Sequence, residues 1–263
     1  EFVQGGGGLT ATCETSLHDD WGVKRKDFGL SDLFGVSFKG DIKAPMQNSY
    51  LRLETDPSTG KRHPLLAGLD DASRIINGVR RLDVETTAPF ENPPLTLIPS
   101  YPDFPMEKVY PRVLKTDVPQ VYLREPGGGR VVYFPWDIDR TFWEVLSVDH
   151  FKLLRNAVTW ATNEDPLVTV TGPGVLDVTF WRQKDSLTIH LVNLSNPMLM
   201  KGPAREILPV GEQKVRVRLP KGSRAKQVRL LAAARTPRVS RSGDSLNITV
   251  PTILDHEVIA IDL

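Results

Sequence analysis

Two short stretches gather the side chains able to do chemistry. Glu14, His18, Asp19, Asp20 and Trp21 follow a strand-like run, Leu9–Cys13, and Trp136, Asp137, Asp139 and Arg140 follow another, Arg130–Phe134. Carboxylates accept hydrogen bonds from hydroxyls, and an indole covers a face of C–H bonds, the combination that recognition of a sugar ring uses. In open α/β sheets ligands bind beyond the carboxyl ends of strands, where both groups would lie. Two of these acids about 5–5.5 Å apart would suit a retaining glycosidase, and about 6.5–9.5 Å an inverting one. The competing reading is that charged loop residues cap and salt-bridge without binding anything. Asp137 and Asp139 alternate as cation ligands can, but two acids fall short of a full ligand loop, so no metal and no cofactor is expected.

Other motifs carry less. Cys13 is the lone cysteine, which excludes an intramolecular disulfide and a Cys-rich metal site. A nucleophile elbow needs small neighbours, which Thr12-Cys13-Glu14-Thr15 does not supply, so Cys13 reads as a buried, inert thiol. A phosphate cradle requires glycines that open a helix. Gly5–Gly8 instead precede a strand, and Gly127–Gly129 separate two strand-like runs as a hairpin turn would. The run Lys214 to Arg241 holds ten cations and no acids. Its cations alternate with apolar residues in Lys214-Val-Arg-Val-Arg-Leu219 and it has no aromatics to stack on bases, so it reads as the solvent face of a sheet, with no nucleic-acid partner. The sequons at Asn193 and Asn247 lie inside or beside strands and carry no functional signal.

The elements that position these groups divide by composition. The 263 residues are 40% apolar and 25% charged, which excludes disorder, and a net charge of +1 gives the whole molecule no polyanion-binding signature. The longest apolar run, Leu230–Ala234, is far short of the roughly 20 residues of a membrane span. Residues 1–164 carry 19 basic and 23 acidic groups (−4), whereas 165–263 carry 14 and 9 (+5). The first stretch mixes strands with one helix, Val148–Ala161, where Phe151, Leu154, Val158 and Ala161 recur at helical spacing, joined by Leu153, Ala157 and Trp160. The second alternates throughout, as in Leu187–Leu191, Lys214–Leu219 and Leu246–Val250, which suggests a β-sandwich. The polar linker Asn163–Pro166 separates two domains, 1–164 and 165–263. Residues 1–8 read as the last turn of a helix and its glycine stop, feeding a strand, so the chain is expected to be a fragment of a longer polypeptide. Between Pro89 and Pro119 lie eight prolines interleaved with Phe90, Tyr101, Phe104 and Tyr110, either a loop packed over the surface or an arm to another subunit.

These residues carry a resemblance. Gly5–Thr15 followed by Asp27-Phe-Gly-Leu-Ser-Asp-Leu-Phe-Gly-Val36, then Gly127-Gly-Gly-Arg-Val-Val-Tyr-Phe-Pro-Trp-Asp-Ile-Asp139 and helix Val148–Ala161, resembles the β-galactosidase trimerisation domain, a glutamine-amidotransferase-like module. Val178–Arg182, His190–Leu194 and Leu254–Val258 are similar to the C-terminal β-domain of the same multidomain bacterial glycoside hydrolases. The resemblance covers essentially the whole chain. It implies an α/β, incomplete flavodoxin-like module followed by an all-β sandwich. Active amidotransferases of this class follow the late strand with a His-x-Glu pair, whereas Pro135-Trp136-Asp137 stands there in this chain, so that activity is not expected. In the resembled hydrolases the catalytic carboxylates sit on an N-terminal barrel, so no catalytic residue is assigned here. The expected role is oligomerisation, as a trimer, and shaping of an active site that meets carbohydrate through the missing catalytic domain. The compartment favoured is a bacterial cytoplasm, with no membrane partner. The alternatives are a stand-alone carbohydrate-binding module using Trp21, Trp136 or Trp181, and a hydrolase using Glu14, Asp19, Asp137 or Asp139.

Overall fold

A computed structural model describes residues 1–195 and 206–263. Among the described residues strands hold 36% and helices 13%, and the chain divides into two compact units, Glu1–Glu164 and Asp165–Leu263. Among the described residues, no helix is long and apolar enough to cross a membrane.

In the first unit, β1 (Gly8–Thr12) leads to a one-turn helix α1 (Ser31–Phe34) and then to β2 (Val36–Lys43), β3 (Tyr50–Leu53), β4 (Arg74–Ile76), β5 (Arg81–Thr86), β6 (Leu95–Ile98), β7 (Tyr122–Arg124) and β8 (Arg130–Phe134). Two helices close it, α2 (Ile138–Val145) and α3 (Val148–Thr162). β8 lies between β1 and β7, parallel to the first and antiparallel to the second. The other pairings of this unit, β2–β5, β3–β4 and β3–β6, are antiparallel. A doubly wound sheet strings several parallel strands together; here β1–β8 is parallel and the neighbouring sheets are small and antiparallel, so the unit is more β-rich than a flavodoxin-like layout.

The apolar run Val131-Val132-Tyr133-Phe134 makes β8 the central strand, because alternate residues feed cores on both faces. Val132 and Phe134 join Leu51, Leu95, Trp136 and Leu153, while Val131 and Tyr133 join Phe28, Phe34 and Leu82. Phe34 stacks on Tyr133 at 4.3 Å between ring centroids, which anchors α1 to the sheet. That helix stops at Gly35, whose left-handed φ of 70° closes the turn with an N–H···O bond to Ser31 at 2.8 Å.

Two expectations need correction. The buried face of α3 keeps Leu153, Ala157 and Ala161 of the expected apolar set but adds His150 and Asn156, whereas Phe151 and Val158 are 46% and 50% exposed. The face is rotated because two polar residues lie inside it with backbone partners. Asn156 Nδ2 donates to the carbonyls of Leu65 at 3.0 Å and Ala67 at 2.9 Å, and His150 Nε2 donates to that of Ile76 at 3.0 Å. A hydrophobicity pattern scores both positions as solvent-facing. The proline-rich span also hides a strand: all four residues of β6 are buried, with Pro93 and Pro94 just before it and Pro99 just after. The prolines punctuate this strand without entering it, so the pairing with β3 keeps its donors.

The second unit contains β9 (Val168–Thr171), β10 (Leu176–Arg182), β11 (Ser186–Asn193), β12 (Gln213–Arg218), β13 (Gln227–Leu230), β14 (Arg238–Ser242), β15 (Ser245–Val250) and β16 (His256–Asp262). They form two antiparallel four-stranded sheets, ordered β10-β11-β16-β13 and β14-β15-β12-β9. One core joins them, built from Leu187, Ile189 and Leu191 of one sheet and Val215, Val217, Leu246 and Ile248 of the other. Each such side chain stabilises the fold by about 1.5–3 kcal/mol relative to exposure, and the strict alternation in β11, β12 and β15 supplies them. Glu257 is buried at 2% exposure, and its carboxylate accepts N–H bonds from Ala232, Ala233 and Val258 at 2.8–3.1 Å.

Candidate functional site

The carboxyl ends of β1 and β8 bring together Cys13, Glu14, Asp137 and Arg140. Cys13 leaves β1 with a left-handed φ of 46°; its N–H donates to Phe134 O at 2.8 Å and its carbonyl accepts from the Tyr133 hydroxyl at 2.8 Å. The strand then turns at once, Thr15 N–H bonding Thr12 O at 3.0 Å, so the strained residue shares its φ with a nucleophile elbow but opens no helix. Burial, followed by the charges of Asp137 and Glu14, pushes the Cys13 thiol up to about 11. The thiolate is the nucleophile, so this sulfur is inert at neutral pH.

On the partner strand, β8 runs into Pro135, whose carbonyl accepts Leu82 N–H at 2.7 Å, and the chain joins the residues before β5. Asp137 N–H donates to Arg80 O at 3.2 Å, and Arg80 N–H donates back to Asp137 Oδ1 at 2.9 Å. The Arg80 guanidinium reaches the other acid, Nη2 lying 2.9 Å from Glu14 Oε2. Arg80 therefore ties the two carboxylates from both ends, one by its backbone and one by its side chain. Asp137 is 3% exposed, and its Oδ2 has no hydrogen-bond partner among the described residues; Arg140 Nη1 stands 3.9 Å away and also pairs with Glu144 through Nε at 2.8 Å.

Gly78 makes the close packing possible: a Cβ there would fall 2.3 Å from Asp137 Oδ1 and 2.7 Å from Trp136 Cε3. Trp136 is fully buried, donates Nε1–H to Gln120 O at 2.8 Å, and meets Phe134 and His150 edge to face. Its expected role as a sugar platform is corrected to that of a core residue, because the chain continuing from β8 turns the indole into the cluster around Leu51 and Leu153.

The remaining sequence candidates lie apart from this node. His18 and Lys24 close a tight loop as a β-bridge, and Asp19 Oδ1 accepts N–H bonds from Trp21 and Val23 at 2.9 Å each. Those two bonds, that to Val23 first, hold the Asp19 carboxyl below the usual range. Asp19 thus builds its own loop. Asp20 is exposed, Trp21 is 91% exposed, and Asp139 is exposed on the first turn of α2. Arg80 and Gly78 escaped the sequence reading because their contacts with Asp137 span some 57 residues of chain, a separation no local pattern encodes.

A separate cleft of about 500 Å³ is lined by Glu54, Asp56, Lys61, His63, Lys115 and Asp117, among others, and takes in none of the sequence candidates. There Glu54 pairs with Arg52 at 3.2 Å and accepts the Thr96 hydroxyl at 2.6 Å. Burial lowers the affinity of His63 for a proton, and its Nδ1 accepts Leu65 N–H at 3.1 Å.

The fold has close counterparts in architecture. The chain superposes over 99% of its length on an α-L-fucosidase isoenzyme 2 from Paenibacillus thiaminolyticus (TM-score 0.65, 17% identity), covering 37% of that chain. It also matches a β-galactosidase from Bacillus circulans sp. alkalophilus (TM-score 0.55, 13% identity, 99% of this chain and 30% of that one). A GH42 β-galactosidase from G. stearothermophilus is similar over the whole chain (TM-score 0.52, 12% identity), covering 29% of its length. No protein-family model and no curated protein matches the sequence. The chain thus spans 29–37% of the length of these three solved proteins, and shares with that part of them a fold.

Proposed function

We propose that this chain is a non-catalytic C-terminal portion of a glycoside hydrolase, serving oligomerisation and the shaping of an active site whose carboxylates lie on another domain. In this reading the first unit is an incomplete flavodoxin-like module of the β-galactosidase trimerisation type, and the second is its β-sandwich companion. The observation that carries it is the coverage: 99–100% of this chain corresponds to 29–37% of a fucosidase and two β-galactosidases. The node chemistry agrees, since Glu14 and Asp137 are engaged by Arg80 as structural ties. The surface suited to assembly is the arm between Pro102 and Val118, where Phe104 and Met106 are 83% and 85% exposed and Tyr110 and Leu114 are exposed as well. A second reading, a carbohydrate-binding module, is favoured by the exposed indoles of Trp21 and Trp181.

The test is turnover of aryl β-galactosides and α-L-fucosides by the full polypeptide encoded around these residues. Activity is expected, and Glu14→Gln and Asp137→Asn should leave kcat within about twofold. A loss on the scale of a general acid or base, about 10²–10⁴-fold, would place catalysis in this chain and overturn the proposal. Light scattering tests assembly: an oligomer is expected, broken by Phe104→Ser with Met106→Ser, and a monomeric parent protein refutes the role. Saturable tryptophan-fluorescence changes with neutral oligosaccharides, lost in Trp181→Ala, would favour the second reading.

A further inference from the structure

We propose that the outer face of the β14-β15-β12-β9 sheet is a binding surface for an acidic polysaccharide, a hydroxyl-rich polymer bearing carboxylate or sulfate groups. The strand register places its side chains in rows. One row across the four strands is Arg238, Thr249, Lys214, Thr171, and the next is Ser240, Asn247, Arg216, Thr169. Successive outward residues on a strand are about 6.8 Å apart and neighbouring strands about 4.8 Å. The cations therefore form a triangle: Lys214 and Arg216 lie along β12, and Arg238 two strands away. Hydroxyl and amide groups occupy the positions between them.

Three features distinguish this face from an ordinary solvated sheet surface. These residues line a groove of about 530 Å³, so the rows form a trough. Among the described residues, no carboxylate lies within 4 Å of Lys214, Arg216 or Arg238, whereas Arg229 on the opposite sheet pairs with Asp262 at 3.3 Å. Like charges gathered without counter-charges cost self-repulsion that an anionic ligand relieves. The unit is also the positive one, +5 over residues 165–263, although the whole chain is nearly neutral at +1.

The chemistry between the cations selects the polymer. Thr169, Thr171, Ser240, Asn247 and Thr249 offer donors and acceptors matched to hydroxyls. Among the described residues no aromatic lines the groove, and stacking is the main sequence-tolerant term in holding single-stranded nucleic acid. The choice of a glycan among polyanions rests in part on the glycosidase reading; the cationic trough does not.

Binding of the full polypeptide to polygalacturonate, dextran sulfate, neutral dextran and an oligo-dT strand, by titration at two salt concentrations, tests the proposal. Binding to at least one of the two acidic glycans is expected, weaker at high salt, with none to dextran; which of the two binds identifies carboxylate or sulfate as the group read. Lys214→Ala with Arg216→Ala should weaken it about tenfold, while the charge-matched control Lys221→Ala with Arg224→Ala, in the exposed turn after β12, should stay within about twofold. Arg216→Lys should retain most of the affinity. All these positions are on the surface, and unchanged melting confirms folding. No binding to either acidic glycan, an equal loss in the control, or tighter binding to oligo-dT overturns the proposal. Each of these outcomes is separate from loss of glycosidase turnover, which bears on the enzyme reading alone.

Discussion

Replacing Gly78 by alanine tests whether the Arg80–Asp137 node is as rigid as its geometry implies. The added methyl would sit 2.3 Å from Asp137 Oδ1 and 2.7 Å from Trp136 Cε3, where ordinary contact begins near 3.4 Å. Neither neighbour can retreat cheaply. Oδ1 is held by Arg80 N–H at 2.9 Å, and the fully buried indole is held by its bond to Gln120 O at 2.8 Å. Overpacking costs about 1–3 kcal/mol, and losing a hydrogen bond to a charged group about 1.5–3. Alanine recovers about 0.4–1 kcal/mol by restricting the unfolded chain, which leaves a net loss of about 2–5 kcal/mol. Since a domain of this size shifts by about 2–4 °C per kcal/mol, the melting temperature of the first unit should fall by at least about 4 °C. Gly60→Ala is the control: its φ of 67° is left-handed, but nothing lies within 4 Å of the new methyl. It should cost about 1–2 kcal/mol from the backbone alone. Differential scanning calorimetry of both variants decides the matter. A Gly78→Ala protein that melts within 1 °C of the parent would show that Asp137 and Trp136 yield freely, and the reading of the node as a fixed post would be wrong.

Three other outcomes follow from the same geometry. With its thiol raised from 9.0 to about 11, Cys13 carries about 100-fold less thiolate at neutral pH than an ordinary cysteine; iodoacetamide labelling of the folded protein at pH 7.5 should be slower by about 10-fold or more, since the more basic thiolate regains part of the loss in nucleophilicity, and labelling at the rate of a model thiol refutes it. Burial lowers the proton affinity of His150 below the free value of 6.5, so its contribution to stability is full above pH about 6.5 and is lost as pH falls from there toward the folded-state value. Melting of the first unit between pH 8 and 5 should show that decline, and His150→Gln should flatten it; an unchanged slope in the variant counts against the assignment. Trp136→Ala should destabilise by about 3–5 kcal/mol, whereas Trp21→Ala, at 91% exposure, should stay within about 0.5 kcal/mol. Denaturant titration separates the two, and equal costs would mean the indoles are not placed as described.

Features that depend on near neighbours are legible in the order of residues. The alternation in β11, β12 and β15 fixes which residues enter the sandwich core, the glycine after Leu33-Phe34 stops α1, and the run Arg130–Phe134 reads as a strand because it is one. The order of residues also placed Glu14 and Asp137 at the ends of strands that prove to be adjacent and parallel. Tertiary structure decided the rest. The face of α3 turned on whether His150 and Asn156 would find backbone carbonyls at Ile76, Leu65 and Ala67, partners 74 to 91 residues away in the chain. Trp136 became core, and Trp21 surface, through the direction in which the chain leaves each strand, although both indoles read alike in one dimension. Arg80 and Gly78 carry no local signature; one gains its role by lying against two acids from separate strands, the other by lacking the atom that would push Asp137 and Trp136 away. Even the cations of Lys214, Arg216 and Arg238, plain as a basic run, form a single face only because β14 and β12 both pair with β15. Periodicity specifies which side of an element is apolar; only the packing of distant segments settles which polar groups are satisfied inside and which are left facing a ligand.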